Sequence, residues 1–232
     1  MYNKKINVDY SDLTLVIPAR FEHQALPLVL KELERYKVKK IIIMSKDDAL
    51  TFQSAKKFNC KIIFQKEKGF GAALIEGLNF SKTKFSCIFN GDGSFNPKYL
   101  QKMLLQLYKE NYDFIFNSRY ISGAGSYDDT LLTKIGNFFF TKICNILFSL
   151  NTSDVLFNYV MGKTDSFKKL KLQSKDFCFC VEIFLKIKLK KYLYATLPNI
   201  ERARFKGQKK VNEFKDGLLI LLFILKSFIK TK

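Results

Sequence analysis

The stretch "CIFNGDGSFNP", residues 87–97, indicates how this chain is organised. Its apolar, β-type beginning gives way at once to Asn90, Gly91 and Asp92, and a proline closes it. Polar side chains that follow a buried strand lie at the edge of the sheet where α/β proteins bind their ligands. Three interpretations are open: a working metal and diphosphate site, a damaged one, or a plain turn after a strand.

Apolar runs that are typical of strands recur along the first half of the chain. They cover residues 13–19, 38–45, 60–65, 85–92 and 113–120, and segments with helical spacing separate them. The runs are continuously apolar rather than alternating, which indicates strands that are buried on both faces. The pattern predicts the α/β class, with a mainly parallel sheet covered by helices on both faces.

Polar and charged residues follow the ends of these predicted strands. They are Pro18, Arg20 and Glu22 after the first strand, Lys46, Asp47 and Asp48 after the second, and Arg119 after the fifth. Since the carboxyl ends of parallel strands meet at one edge, we expect these residues to lie near Asp92. Acidic and basic groups at one edge suit a nucleoside diphosphate with a divalent metal.

The charge of the chain favours an anionic partner. Its 232 residues carry 40 Lys and Arg against 21 Asp and Glu, a formal charge of +19, and 47% of them are hydrophobic. Such an excess indicates nucleic acid, an acidic membrane surface or a phosphorylated substrate, although lysine enrichment can also reflect genome composition. A nucleic-acid binder is disfavoured, because no recognisable nucleic-acid-binding motif is present.

Cysteine and histidine usage limits the other kinds of site. The five cysteines lie in apolar runs, which is typical of reduced thiols in a cytosolic protein. We expect Cys178 and Cys180 to project from one face of a strand, and no second Cys or His pair accompanies them to form a zinc site. His23 is the only histidine, so a multi-histidine metal centre is excluded.

The second half of the chain predicts contact with a membrane. A Phe-rich helix is expected at residues 131–150, and an amphipathic helix at 212–232 follows a basic loop at 202–212. Lysines flank both apolar stretches, as in helices that lie on an anionic leaflet, although ordinary core helices are an equal alternative. The apolar run at 217–225 is too short to cross a bilayer, and the amino terminus has no apolar core like that of a secretion signal. We therefore expect one domain, residues 1–211 with the 212–232 helix as part of it, in the cytoplasm and peripheral on the inner face of the membrane.

Six segments resemble family 2 glycosyltransferases, in the branch of the dolichyl- or polyprenyl-phosphate sugar synthases. In chain order they are "VIPARFE", "KGFGAALIEGL", "FNGDGSFNP", "NSRY", "SDVLFNYVMG" and "RFKGQKKVNEFKDGL". They are similar to the family's P-x-x-x-E strand end, K-G-x-G-A-A helix entry, D-A-D-G-S-x-x-P metal segment, G-S-R-Y strand end, S-D-x-x-S-G-F-R loop and R-x-x-G-x-S-K-V loop. Their order and spacing run from about residue 13 to about 222, nearly the whole chain.

The resemblance implies the GT-A fold and an inverting, metal-dependent transfer of a sugar from a nucleotide sugar. It implies an anionic, polyprenyl-phosphate or membrane-proximal glycan acceptor, in cell-envelope glycan or glycolipid synthesis. Nucleotide contacts would come from Pro18, Arg20, Glu22, Lys46, Asp47, Gly71, Asn90 and Gly91. Mg²⁺ or Mn²⁺ would be held by Asp92 with Asn90. Asp154 would be the base and Arg119 a catalytic and phosphate-binding group, while Arg204 (with Arg202 as an alternative) and Lys210 would bind acceptor or donor phosphate.

The sequence departs from the family pattern at the metal segment and at the second strand end. Asn90 stands where the family has its first aspartate, and Ser45 and Lys46 replace paired aspartates, for which Asp47 and Asp48 are possible substitutes. Two alternatives therefore stay open. One is a non-catalytic, membrane-associated homologue, and the other is a nucleotidyltransferase, which usually has a glycine-rich loop after the first strand that "PARFEHQ" lacks.

Overall fold

The computed structural model describes residues 8–231 of the chain. Residues 1–7, which include most of the amino-terminal segment examined for a secretion signal, and Lys232, one of the flanking lysines, lie outside the described residues. The α/β prediction is confirmed: a seven-stranded sheet lies between two layers of helices. Its strands are β1 Leu13–Ala19, β2 Lys39–Met44, β3 Lys61–Phe64, β4 Phe85–Ile88, β5 Phe114–Ser118, β7 Val160–Lys163 and β8 Tyr194–Pro198.

The strands lie in the order β3-β2-β1-β4-β7-β5-β8. The pairs β1–β2, β1–β4, β2–β3 and β5–β8 are parallel, and β7 runs antiparallel to both of its neighbours. Two short parallel strands, β6 Gly125–Ser126 and β9 Ile200–Glu201, form a second sheet. The parallel strands β1, β2, β4 and β5 end on the same side, which gathers the residues that follow them at one edge.

Helices cover both faces and bury two separate cores. They are α1 Leu26–Leu33, α2 Ala49–Ala55, α3 Phe70–Phe80, α4 Leu100–Lys109, α5 Leu131–Phe148, α6 Thr164–Leu170, α7 Phe179–Leu189 and α8 Glu213–Thr231. One core joins α1 and α4 to the sheet, and the other joins α3, α5, α6, α7 and α8 to its opposite face.

One expectation from the sequence is wrong. Cys178 and Cys180 lie at the start of helix α7, not on a strand, and both are buried. All five cysteines are free thiols, and Cys60 alone among them is only half-buried. Cys180 accepts a hydrogen bond from Asn158 Nδ2 at 2.8 Å. Nearly every position in the first half of α7 is buried, so the segment lacks the one-sided apolar pattern by which a helix is recognised.

Candidate active site

The end of β1 is fixed by the helix that follows β2. Phe21 has a left-handed backbone with φ of 55°, and its N–H donates to Asp48 Oδ2 at 2.5 Å. Asp48 also caps α2 by accepting from the Thr51 N–H at 3.2 Å. Through these two hydrogen bonds, the Asp48 carboxylate holds the ends of β1 and β2 together. Asp48 is only 3% exposed, so its carboxylate is not accessible to a nucleobase.

Glu22 places a buried carboxylate at this edge. Its Oε1 lies 3.2 Å from Lys210 Nζ, while its Oε2 is buried and has no hydrogen-bond partner among residues 8–231. Burial raises the pKa of Glu22, and the neighbouring Lys210 opposes that rise. A buried acceptor without a donor is costly, so this oxygen is open to a hydrogen-bond donor from outside the chain.

The other nucleotide candidates differ in how open they are. Arg20, Lys46 and Asp47 are exposed, and a hydrogen bond from Ser45 lowers the pKa of Asp47. Pro18 is half-buried at the end of β1, and Gly91 is buried.

Gly71 has a packing role that the sequence did not reveal. A Cβ atom there would lie 2.1 Å from the Ser174 carbonyl oxygen, so the first turn of α3 needs glycine to approach the loop before α7. The predicted nucleotide contact of Gly71 stays a prediction.

The loop after β4 holds Asp92 in one orientation. Asp92 Oδ1 accepts from both the N–H and the hydroxyl of Ser94, at 2.9 and 2.7 Å. Asn90 Nδ2 donates to the same hydroxyl at 3.2 Å, so the amide nitrogen is committed and the amide oxygen is left for another partner. The segment is therefore an ordered loop in which Asp92 Oδ2 and Asn90 Oδ1 are the available oxygens.

The basic loop at 202–212 lies directly on this segment. The Phe205 N–H donates to the Asp92 carbonyl at 2.7 Å, and the Arg202 N–H donates to the Ser94 carbonyl at 2.9 Å. Gly93 has φ of 90°, and a Cβ atom there would meet the Phe205 ring at 2.4 Å. Glycine at position 93 is thus required both by the backbone and by the docked ring.

Of the two arginines in that loop, Arg204 is the one beside the metal candidate. Arg202 is held by both oxygens of Glu32 at 3.0 Å each. Arg204 NH1 lies 3.7 Å from Asp92 Oδ2, and its Nε and NH2 donate to Asp128 at 3.1 and 2.6 Å. Sequence reasoning missed Asp128, for which the acidic pair in "SYDDT" was the available signal.

The two predicted catalytic residues contact each other. Arg119 Nε and NH2 donate to the two carboxylate oxygens of Asp154 at 2.9 and 3.0 Å, and the Arg119 N–H adds a third bond at 3.1 Å. Arg119 NH1 also lies 2.8 Å from Asp129 Oδ1 and 3.4 Å from Glu201 Oε2. The structure brings Arg119 and Asp154 together as one site requires, but each is neutralised inside a buried cluster.

Glu201 belongs to the same cluster, and its pKa lies far above the ordinary value of a glutamate. Burial raises the pKa of Glu201 to about 7, against the opposing effect of Arg119. Its Oε2 accepts from the Ser126 hydroxyl at 2.5 Å, across the small sheet formed by β6 and β9. Asp129 and Glu201 were not predicted from the sequence, because short strands far apart in the chain bring them to Arg119.

The oxygens present suit a hard divalent cation. Asp92 Oδ2 and Asn90 Oδ1 are carboxylate and amide oxygens, and Mg²⁺ commonly takes one or two protein carboxylates with waters and phosphate oxygens. Residues 8–231 contain no group of three or more His, Cys, Asp or Glu side chains placed to hold a metal ion. The residues therefore fit a site that the donor's own phosphates complete.

Helices α5 and α8 carry exposed apolar stripes beside this site. The α8 residue Gly217 lies against Phe140 of α5, and Lys209 of the basic loop donates to Thr133 in the first turn of α5 at 2.9 Å. We call the exposed apolar residues of these helices the apolar platform: Leu131, Leu132, Ile135, Phe138, Phe139, Ile146, Phe214, Leu218, Leu219, Leu222, Leu225 and Ile229. Within residues 8–231, α5 alone is long and apolar enough to cross a membrane by length and composition.

A mainly parallel sheet with acidic and basic residues at its carboxyl edge is typical of nucleotide-binding α/β proteins, and comparison with known proteins narrows this class. Residues 14–171 match the family described as glycosyl transferase family 2. The chain belongs to this family and is an enzyme of the glycosyltransferase class, which decides against the nucleotidyltransferase alternative.

Two of the sequence relatives match different lengths of the chain. An uncharacterised protein of Methanocaldococcus jannaschii is 29% identical over 145 residues, which are 59% of this chain and 58% of the relative. A dolichyl-phosphate hexose transferase of Haloferax volcanii is 22% identical over 219 residues, 94% of both chains. The match thus spans less than two thirds of the first relative and nearly all of the second.

Solved structures of a Mycobacterium tuberculosis enzyme share the fold. Glucosyl-3-phosphoglycerate synthase in complex with Mn²⁺, UDP and phosphoglyceric acid matches with a TM-score of 0.72 at 13% identity, over 93% of this chain and 78% of that one. The same enzyme with Mg²⁺ and UDP matches with a TM-score of 0.71 at 13% identity, over 92% and 78%. The predicted GT-A fold is confirmed.

Proposed function

We propose that this glycosyltransferase moves a sugar from a nucleotide sugar to a polyprenyl phosphate at the membrane surface, with inversion and with a divalent metal. The observation that carries the proposal is the meeting of Asp92, Glu22, Arg204 and Lys210 at the carboxyl edge of the sheet. This set of groups suits a metal-bound diphosphate and its sugar. Asp92 offers an oxygen that Ser94 leaves free, Glu22 offers a buried acceptor without a donor, and the basic loop adds two cations.

The donor would lie across the ends of β1, β2 and β4. Exposed Arg20, Lys46 and Asp47 would contact the nucleoside, with Pro18, Gly71 and Gly91 as walls. The orphaned Glu22 Oε2 would accept a hydrogen bond from a donor hydroxyl. Arg204 and Lys210 would neutralise the diphosphate as the basic loop adjusts over it.

Asp92 and Asn90 would hold Mg²⁺ or Mn²⁺, which stabilises the charge that develops on the leaving diphosphate. Ser94 fixes the Asp92 carboxylate through two hydrogen bonds, so the free Oδ2 is already oriented. Complexes of the Mycobacterium tuberculosis enzyme with Mn²⁺ or Mg²⁺ and UDP support metal use in this fold.

The state of Asp154 favours a phosphate acceptor over a hydroxyl acceptor. Both of its oxygens accept hydrogen bonds from Arg119, so neither is directed at an acceptor hydroxyl. A phosphate acceptor is already anionic and needs little deprotonation, whereas a sugar hydroxyl needs a base. In this proposal, the Arg119–Asp154 pair fixes the end of β5. Arg119 would contact the acceptor phosphate after some of its carboxylate partners move away.

The apolar platform would place the acceptor beside the donor. Exposed lysines accompany its apolar stripes on both helices, namely Lys134, Lys142, Lys215, Lys226 and Lys230. Apolar residues with flanking lysines suit the surface of an anionic leaflet. The chain would then act on the cytoplasmic face as one domain that includes the 212–232 helix, in cell-envelope glycan or glycolipid synthesis. The Haloferax volcanii relative is a dolichyl-phosphate hexose transferase, which supports a lipid phosphate as the acceptor of this chain.

Sugar transfer in vesicles tests the proposal. Anionic vesicles with a polyprenyl phosphate, Mn²⁺ and radiolabelled UDP-, GDP- or dTDP-sugars should give a labelled lipid product with one nucleotide family. The product should disappear with EDTA. Transfer only to a glycan hydroxyl, or transfer that persists without a divalent ion, would contradict the acceptor or the metal respectively.

Vesicle sedimentation tests the platform separately. Leu222 of α8 is 54% exposed, and Leu28 of α1, on the other face of the sheet, is 49% exposed. Leu222→Glu should reduce binding to anionic vesicles by about tenfold, because it puts a charge into the apolar stripe, whereas Leu28→Glu should leave binding unchanged. Equal binding by both variants and the wild type would refute membrane docking through α8.

A further inference from the structure

The guanidinium of Arg204 bridges two carboxylates at the predicted metal site. Three of its contacts define the bridge: Nε and NH2 to Asp128 at 3.1 and 2.6 Å, and NH1 to Asp92 Oδ2 at 3.7 Å. The side chains of Arg204 and Asp92 are 19% and 15% exposed, so water screens the contact only in part. The oxygen that Arg204 approaches is the one left free by Ser94.

We propose that Arg204 is the resident counter-ion of Asp92, that a divalent metal must displace it, and that Asp128 is the positioning residue that receives it. The inference rests on the proposed function, because it concerns the same metal and diphosphate site. It also predicts an order of events: Arg204 pairs with Asp92 until a nucleotide diphosphate binds and pairs with Arg204 instead.

The charges explain why the exchange is needed. A divalent ion on Asp92 Oδ2 and a guanidinium 3.7 Å from the same oxygen would repel each other strongly. Arg204 can move away from Asp92 without losing its other partner, since Asp128 holds it through two nitrogens. Gly207, with φ of 87°, supplies a flexible point between Arg204 and Lys210, the loop's second anchor on Glu22.

The exchange predicts opposite effects of one substitution on two ligands. Without nucleotide, loss of Arg204 removes a competitor, so Mn²⁺ alone should bind more tightly. With nucleotide, loss of Arg204 removes a cation that would pair with the diphosphate, so UDP or GDP with Mn²⁺ should bind less tightly. A residue with only a structural role would shift both affinities in the same direction.

Isothermal titration with Mn²⁺, alone and with UDP or GDP, tests the proposal on the full chain. Arg204→Ala should bind Mn²⁺ about tenfold more tightly than the wild type and the preferred nucleotide with Mn²⁺ about tenfold more weakly. Lys206→Ala is the matched control, because it removes the same charge from an exposed position in the same loop. Its two affinities should stay within about twofold of the wild type.

Two further variants separate the roles. Arg204→Gln, which keeps a polar side chain of moderate length, should repeat the effect if Arg204→Ala unfolds. As a single substitution, Asp128→Asn should weaken Mn²⁺ binding, because Arg204 then pairs with Asp92 alone. In a chain that already carries Arg204→Ala, Asp128→Asn should have little effect on Mn²⁺ affinity.

The outcomes distinguish this inference from the proposed function. If the wild type binds nucleotide with Mn²⁺ but Arg204→Ala and Arg204→Gln bind Mn²⁺ no more tightly, the counter-ion role is wrong and the donor site stands. If Lys206→Ala reproduces the gain, the effect belongs to the overall charge of the loop. If no variant and no wild type binds Mn²⁺ or nucleotide, both the inference and the metal-dependent function fail.

Discussion

The buried carboxyl group of Glu201 predicts that the folded chain becomes less stable as the pH rises toward neutrality. Burial raises the pKa of Glu201 from 4.5 to about 7, whereas in the unfolded chain it returns to its ordinary value. Between these two pH values the folded state keeps a proton that the unfolded state has lost. The free energy of unfolding therefore falls as the pH rises through this window, and it is highest below 4.5.

The size of the effect follows from the width of the window. At about 1.4 kcal/mol for each pH unit, the stability that Glu201 contributes below pH 4.5 falls by about 3 kcal/mol by pH 8. Glu201→Gln replaces the carboxyl group by a neutral one of the same shape, and its carbonyl oxygen can still accept from the Ser126 hydroxyl. The variant should match the wild type near pH 4.5 and be about 3 kcal/mol more stable at pH 8.

Urea unfolding at several pH values between 4.5 and 8 measures this difference. Glu110→Gln is the matched control, because Glu110 is exposed at the end of α4 and should give a nearly constant difference from the wild type. A Glu201→Gln curve that runs parallel to the wild type would show that the folded and unfolded chains bind the proton of Glu201 equally. A variant that becomes relatively less stable with rising pH would show that Arg119 holds Glu201 ionised.

Two further predictions concern the loop after β4. Gly93→Ala should lower the melting temperature more than Gly123→Ala, since both glycines have positive φ but only Gly93 would push a Cβ atom into the Phe205 ring, while Gly123 has nothing within 4 Å; equal losses in thermal unfolding would show that the ring is not docked there. Asn90→Asp should raise Mn²⁺ affinity by about tenfold in titration calorimetry, because a carboxylate replaces a neutral amide oxygen; lost sugar transfer with unchanged Mn²⁺ affinity would instead assign Asn90 to the sugar.

The first half of the fold was predictable because its strands and helices alternate with strong apolar runs. The site edge followed from the same pattern, since the ends of parallel strands must meet. The antiparallel strand β7 was not predictable in this way. Its four residues, Val160–Lys163, are too few to show a period, and only their insertion between β4 and β5 defines them.

The partners of the site residues were the least predictable part. Glu201 lies in the two-residue strand β9, and Asp128 follows the two-residue strand β6 with which β9 pairs. Such short pairings leave almost no pattern in a sequence. Asp48 was offered by the sequence as a substitute for one of the family's paired aspartates, but in the structure its carboxylate caps the first turn of α2. Sequence reasoning thus predicted which residues meet at this edge of the sheet better than it identified the partners that hold them.

We propose that Asp92 binds a metal on which binding of the nucleotide sugar depends, and a thermal-shift assay measures this dependence. UDP-, GDP- and dTDP-sugars would be screened with and without Mn²⁺ against the wild type, Asp92→Ala and Asp165→Ala, an exposed aspartate of α6. We expect one nucleotide family to stabilise the wild type and Asp165→Ala only with Mn²⁺, and we expect Asp92→Ala to lose this stabilisation. Mn²⁺-dependent stabilisation that survives undiminished in Asp92→Ala would show that Asp92 does not hold the metal.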